Sequence, residues 1–182
     1  MRMGKSKIQN LKSKIDKPSA MTPRVKVMTR IVLALIAAAV FAADQLTKHL
    51  VERRLPDGAV VRVIPGFFNL ITTKNSGAVF GLFNDSTASW KTPLLIAVSA
   101  ILLIVVVFVV ARTRRLHWGS AIGLSLILGG ALSNLFDRMR TGLVEDFLDF
   151  YIRSYHWAAF NLADSAIVIG AGFLILQVLL SD

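Results

Sequence analysis

Four apolar stretches divide this chain, at about 31–50, 93–111, 118–137 and 158–180. Each approaches or exceeds the roughly 20 residues that carry a helix across a bilayer. Backbone groups find no water in hydrocarbon, so such stretches must satisfy their own hydrogen bonds and become helices. The pattern predicts an all-α membrane protein with four transmembrane helices. Composition agrees: 54% of the 182 residues are hydrophobic, the mean hydropathy is +0.61, and the formal charge is nevertheless +10. Soluble domains of this length rarely combine these values.

The first stretch also invites a second reading. Basic residues, then Ile31 to Ala39, then Val40-Phe41-Ala42-Ala43 resemble a cleavable secretory signal. The apolar run continues through Leu46 to Leu50 and three more follow it, so a retained helix is the better fit. Cysteine is absent, which removes disulfides, thiol nucleophiles and Cys-based metal sites.

Lys and Arg collect on cytoplasmic flanks, and their distribution sets an expected orientation. Nine precede Ile31: Arg2, Lys5, Lys7, Lys12, Lys14, Lys17, Arg24, Lys26 and Arg30. The connection between spans two and three adds Arg112, Arg114 and Arg115. Both segments are expected in the cytoplasm, with both termini there. Residues 1–27 form a basic tail, polar and aperiodic, expected to be disordered or to lie against anionic lipid. The same charges raise the pI to about 10.6 and could serve a nucleic acid; topology accounts for them without such a partner, and none is expected. Trp90, Trp118, Tyr151, Tyr155 and Trp157 stand at span boundaries, where aromatic belts occur.

Residues 28–182 are expected to form one membrane domain, with a periplasmic β element within about 52–90. There, Ala59 to Ile64 and Phe67 to Thr72 are rich in β-branched and aromatic residues and are separated by Pro65-Gly66, a turn signal. The segment Gly142 to Ile152, mixing apolar residues with Glu145, Asp146 and Asp149, is expected to lie in the interface.

Ionisable groups inside or beside spans cost at least about 2.5 to 3.5 kcal/mol on insertion scales and are functional candidates by default. Asp44 and Lys48 share a helical face near the outer end of span one. Asn134, Asp137 and Arg138 close span three. Asn161 and Asp164 lie three residues apart at the start of span four, on one face. In the expected topology these ends share a membrane face, together with Asp146 in the connecting segment. Taken singly, Asp44 with Lys48 is better read as an intrahelical ion pair, Asp137 as a structural acid paired with Arg138, and Asp146 as a solvated charge. Asp164 is read as functional. Two carboxyls in a low-dielectric site cannot both ionise easily, so one holds a proton while the other serves as base. His49, His117 and His156 show no metal-ligand spacing, so no metal and no cofactor are expected.

Five patterns together resemble the lipoprotein signal peptidase (signal peptidase II) family: Asp44-Gln-Leu-Thr-Lys48, Asn75-Ser-Gly-Ala-Val-Phe-Gly81, Gly129-Gly-Ala-Leu-Ser-Asn-Leu-Phe-Asp-Arg138, Gly142-Leu-Val-Glu-Asp-Phe-Leu-Asp149 and Phe160-Asn-Leu-Ala-Asp-Ser165. The resemblance implies a membrane aspartic endopeptidase that acts on diacylglyceryl-modified prolipoproteins and cuts before the lipidated Cys. It implies Asp146 and Asp164 as the catalytic pair, reversing the reading of Asp146 from spacing alone. Asp44, Lys48, Asn75, Gly77, Asn134, Asp137, Arg138 and Asn161 are implied to bind substrate or support the site, with Gly77 and Gly81 letting their loop approach the substrate. Ser133 departs from the family's usual Gly and Val79 from its frequent Ala. The expected location is the bacterial inner membrane, with the site at the periplasmic leaflet, a monomeric enzyme, and membrane lipid and the lipidated precursor as partners.

Two other readings compete. Intramembrane acids also mark ion pathways, which would make this a small proton-relay or transporter subunit, yet Leu102 to Val110 and Ile167 to Leu180 are almost wholly apolar except for Gln177. A structural assembly factor, packed through Gly119 and Gly123, would leave the layered acids unexplained.

Overall fold

The computed structural model describes residues 23–76, 90–113 and 117–180. Gly77, Val79, Gly81 and most of the basic tail lie outside the described residues. Residues 33–182 form one compact unit; residues 1–32 form another, whose described part is the opening of the first helix.

The elements run α1 (Pro23–Arg54), β1 (Val60–Ile64), β2 (Phe68–Asn75), α2 (Lys91–Arg112), α3 (Trp118–Thr141), β3 (Val144–Ile152), β4 (Tyr155–His156) and α4 (Leu162–Leu179). Among the described residues, four helices are long and apolar enough to cross a membrane, over Arg30–Arg54, Thr92–Arg112, Trp118–Thr141 and Leu162–Leu179. The chain is a multi-pass membrane protein. The terminal Trp residues suit this: Trp90 caps α2, Trp118 opens α3, and both are well exposed.

Helix α3 is the hub. Its buried face carries Ala121, Leu124, Ile127, Ala131 and Leu135, and Leu124 and Ile127 meet Val106 of α2 in the apolar core. Outward faces of α2 and α4 stay apolar and exposed, for instance Ile104, Phe108, Val168 and Ile175, as lipid contact requires. Small residues let α3 and α4 touch backbone to backbone. A Cβ at Gly130 would strike the Ala163 carbonyl, and one at Gly123 would fall 2.7 Å from the Gly170 carbonyl oxygen. The Gly123 surface is thus used inside this chain.

Two helix boundaries differ from expectation. The fourth helix begins at Leu162, not near 158, because Asn161 caps it and Phe160 is drawn instead into a β-bridge with Leu148. The third helix continues past Asp137 to Thr141, where Gly142, left-handed at φ 75°, ends it. The segment expected to lie in the interface takes the form of a strand, β3, antiparallel to β2 with Phe68 opposite Phe150 and Asn75 opposite Val144. The sheet, ordered β1-β2-β3-β4, therefore joins two connections remote in sequence. Alternation explains why the strand was hard to read. Asp146 and Phe150 face one side, whereas Glu145 and Asp149 face the other. All but Phe150 of these are buried, so the strand carries polar residues on both faces.

Candidate active site

The site is built where α1, α3, the start of α4 and the sheet meet. Asn161 does not continue the helix; its backbone is extended, and its side-chain oxygen accepts from the Asp164 N–H at 2.9 Å. Asp164 returns the contact, its Oδ2 accepting from the Asn161 N–H at 3.4 Å. This capping box satisfies N–H groups that a helix start leaves without partners. Asp44, fully buried on α1, takes another: its Oδ1 accepts from Ala163 N at 2.8 Å.

Asp146 and Asp164 are brought together around Asn161. The Asn161 side-chain amide donates to Asp146 Oδ1 at 2.7 Å, and Asn75 at the end of β2 donates to Asp146 Oδ2 at 2.8 Å. Asn134 of α3 donates to Asp164 Oδ1 at 2.8 Å. Neither acid is more than 4% exposed. Burial, and then the nearby charge of Asp164, pushes the Asp146 carboxyl from 3.8 up to about 7; the amides of Asn75 and Asn161 pull the other way. Such a carboxyl can hold a proton at neutral pH and still give it up.

Beneath the pair lies a buried ionic layer. Lys48, only 4% exposed, donates to Asp44 Oδ2 and Asp137 Oδ2 at 2.6 Å each and to Asn134 Oδ1 at 3.0 Å. An ammonium has three N–H donors, and each is used. The ion pair of Asp44 with Lys48 is thus present, but Lys48 also ties α1 to α3. Asp137 acts on the Arg138 guanidinium by its charge but makes its ion pair with Lys48, while Arg138 also donates to the Asn134 carbonyl at 3.2 Å. Arg138 is buried and within electrostatic reach of Asp164 and Asp146.

Two residues of this layer were not singled out as site residues in the sequence. Gln45 donates to Ser133 Oγ at 2.9 Å and to Asp137 Oδ1 at 2.7 Å, and Ser133 Oγ donates to Asp44 Oδ2 at 2.7 Å. The departure at Ser133 therefore adds a hydroxyl to the network. Gln45 was detectable as an amide beside Asp44 inside a span. Also missed were Phe150, Trp157 and Phe160, which with Val168 and Ile169 line an apolar cavity of about 380 Å³ opening beside Asp164. Phe150 stacks on Phe160 at 5.7 Å. In the sequence Trp157 stands out only as a boundary aromatic and Phe160 only as the first residue of a family pattern.

Residues 36–180 match the family model described as Signal peptidase (SPase) II. The chain belongs to the signal peptidase II family. Among similar proteins, the lipoprotein signal peptidase of Solibacter usitatus (strain Ellin6076) is 46% identical over 144 residues, covering 79% of this chain and 88% of that one. That of Oleidesulfovibrio alaskensis (strain ATCC BAA-1058 / DSM 17464 / G20) is 43% identical over 147 residues, covering 81% and 94%. Two bacterial membrane enzymes solved by the in meso method, at 1.9 and 2.3 Å resolution, have TM-scores of 0.73 and 0.72. They are 32% and 33% identical, cover 83% and 81% of this chain, and are themselves covered to 94% and 87%. As a signal peptidase II, the chain is a protease, a hydrolase of the membrane; a proton relay is not favoured. The basic residues before Ile31 precede the matched region.

Proposed function

We propose that this signal peptidase II removes the signal peptide from diacylglyceryl-modified prolipoproteins, cutting before the lipidated Cys, with Asp146 and Asp164 as its catalytic pair. The observation that carries the assignment is the shared bonding of both buried carboxyls to Asn161. The ionised member takes a proton from water as the water oxygen bonds to the scissile carbonyl carbon. The protonated member hydrogen-bonds the developing oxyanion, then donates its proton to the leaving nitrogen as the C–N bond breaks. The pair ends with one proton, as it began.

The remaining groups have supporting roles. Asn75, Asn134 and Asn161 orient the carboxyls, and Arg138 supplies positive potential toward both. Asp44, Lys48 and Asp137 brace the layer below. Gly77, outside the described residues, keeps the substrate-facing role that the family motif implies. The apolar cavity beside Asp164 supports a substrate carrying acyl chains: lipid held there would fix the scissile bond at the height of the acids, and remote binding energy would position the carbonyl.

In this reading the enzyme works as a monomer in the bacterial inner membrane. Both termini are cytoplasmic and the sheet and site lie at the periplasmic leaflet, as the basic residues before Ile31 and at Arg112 to Arg115 favour. The test is incubation of the purified protein with a diacylglyceryl-modified precursor and with its unlipidated counterpart. Cleavage of the lipidated precursor alone is expected. Equal cleavage of both would remove the lipid from the recognition.

A further inference from the structure

A second cavity, of about 280 Å³, lies on the other face of β3, behind the catalytic pair. Its walls come from the ends of two candidate spans, Glu52 of α1 and Arg140 and Thr141 of α3, and from Lys74 and Glu145 of the sheet. Lys48 also lines it, but all three of its N–H donors are committed to Asp44, Asp137 and Asn134.

Glu145 is the anomaly. It is 93% buried, since its relative exposure is 7%. Yet among the described residues its carboxylate takes no hydrogen bond and enters no ion pair. Lys74, directly opposite on β2, turns instead to Asp57 at 3.1 Å. Buried carboxylates are ordinarily paired, because an unpaired charge is costly to desolvate. Burial, and then the charge of Glu52 nearby, push the Glu145 carboxyl from 4.5 up to about 7, while the charges of Lys74 and Lys48 pull the other way. Glu52 and Glu145, close enough for the charge of one to act on the other, line the cavity together with Arg140, itself in no ion pair among the described residues.

We infer that this cavity is a lipid-headgroup site for a phosphoethanolamine, the primary ammonium seated between Glu145 and Glu52 and the phosphate facing Arg140. Glu52 and Arg140 belong to the last turns of two candidate spans, and the ends of spans are where headgroups meet a membrane protein. A primary ammonium brings N–H donors that an unpaired carboxylate lacks, and the phosphate supplies an acceptor that matches a guanidinium. A quaternary choline has no N–H to give, and a glycerol headgroup has no cation. The site is separate from the hydrolytic pair and does not depend on the reading of Asp146 and Asp164.

The experiment is native mass spectrometry of the full chain in detergent, titrated separately with dihexanoyl phosphatidylethanolamine, phosphatidylcholine and phosphatidylglycerol. The ethanolamine lipid is expected to bind at least about tenfold tighter than the other two. That preference should vanish in Glu145→Gln and weaken in Arg140→Gln. Glu145→Gln removes an unpaired charge and keeps the shape, so it should fold; if it does not, Glu52→Gln makes the same test. Equal binding of the three lipids, tighter binding of the glycerol lipid, or an undiminished ethanolamine preference in the folded Glu variant would overturn the assignment.

Discussion

Asp164 and Asn161 hold each other at the start of α4, the Asn161 side chain accepting from the Asp164 N–H and Asp164 accepting from the Asn161 N–H. Asn161 also donates to Asp146 at 2.7 Å. One residue thus begins a helix and bridges two acids from different elements. The height of the Asp164 carboxyl is set by the same hydrogen bonds that nucleate the helix beneath it.

Separating these two roles gives a first prediction. Asn161→Ala loses the cap, at a cost of about 1 kcal/mol, and also leaves Asp146 without one of its amide donors. Asn161→Ser restores the cap but cannot span to Asp146. Thermal unfolding in detergent should recover in the Ser variant, while turnover stays about 100-fold or more below wild type, the scale for loss of one oriented donor. Recovery of both would reduce Asn161 to a cap.

Acidity gives a second. The Asp146 carboxyl is raised from 3.8 to about 7, so it retains its proton below that value and releases it above. The shared proton is then lost on the alkaline side. Turnover of a lipidated precursor should fall with an apparent pKa near 7 belonging to the pair, and a profile flat to about pH 9 would contradict it. In Asp164→Asn the like charge is gone, so the Asp146 carboxyl should titrate at lower pH, readable from its infrared stretch.

Beneath the pair, Lys48→Met leaves Asp44 and Asp137 buried without their cation. Breaking a buried ion pair on one side costs about 3 to 5 kcal/mol, so unfolding should occur at markedly lower temperature. Adding Asp44→Asn and Asp137→Asn to Lys48→Met removes the uncompensated charge. Much of the stability should return, but not the turnover, because Asn134 no longer has the anchor that aims it at Asp164. Full activity in the triple variant would contradict the bracing role.

Close packing supports the site from the other side. In Gly130→Leu the new Cβ meets the Ala163 carbonyl one residue before Asp164. Overpacking of this kind costs about 1 to 3 kcal/mol, and moving the first turn of α4 away from Asn134 should lower kcat more than it raises KM. Unchanged kcat would separate helix packing from the geometry of the pair.

The sequence made the spans legible because lipid imposes a length and a composition that few other constraints imitate. It also brought Asp44, Lys48, Asn134, Asp137, Asn161 and Asp164 to one end of the bundle, since charged and amide side chains placed against hydrocarbon stand out. What stayed hidden was pairing across distance. Strand β3 bonds to β2 some 70 residues earlier, with Asp146 opposite Thr73, and nothing local announces that partner. With polar residues on both faces, the strand lacks the apolar-in, polar-out alternation that marks a half-buried one, so Asp146 looked solvated until the family motif was considered. Ser133 and Gln45 were hidden for a related reason: a single hydroxyl or amide in a helix reveals its role only when the facing helix is known.

The most direct measurement is cleavage of a diacylglyceryl-modified precursor by Asp146→Asn and Asp164→Asn, each checked for folding by thermal unfolding in the same detergent. Asn can still accept at the third position of α4, so the helix start should survive in the second variant. The account predicts two folded proteins with cleavage abolished in both. Near-normal turnover in either folded variant would contradict it.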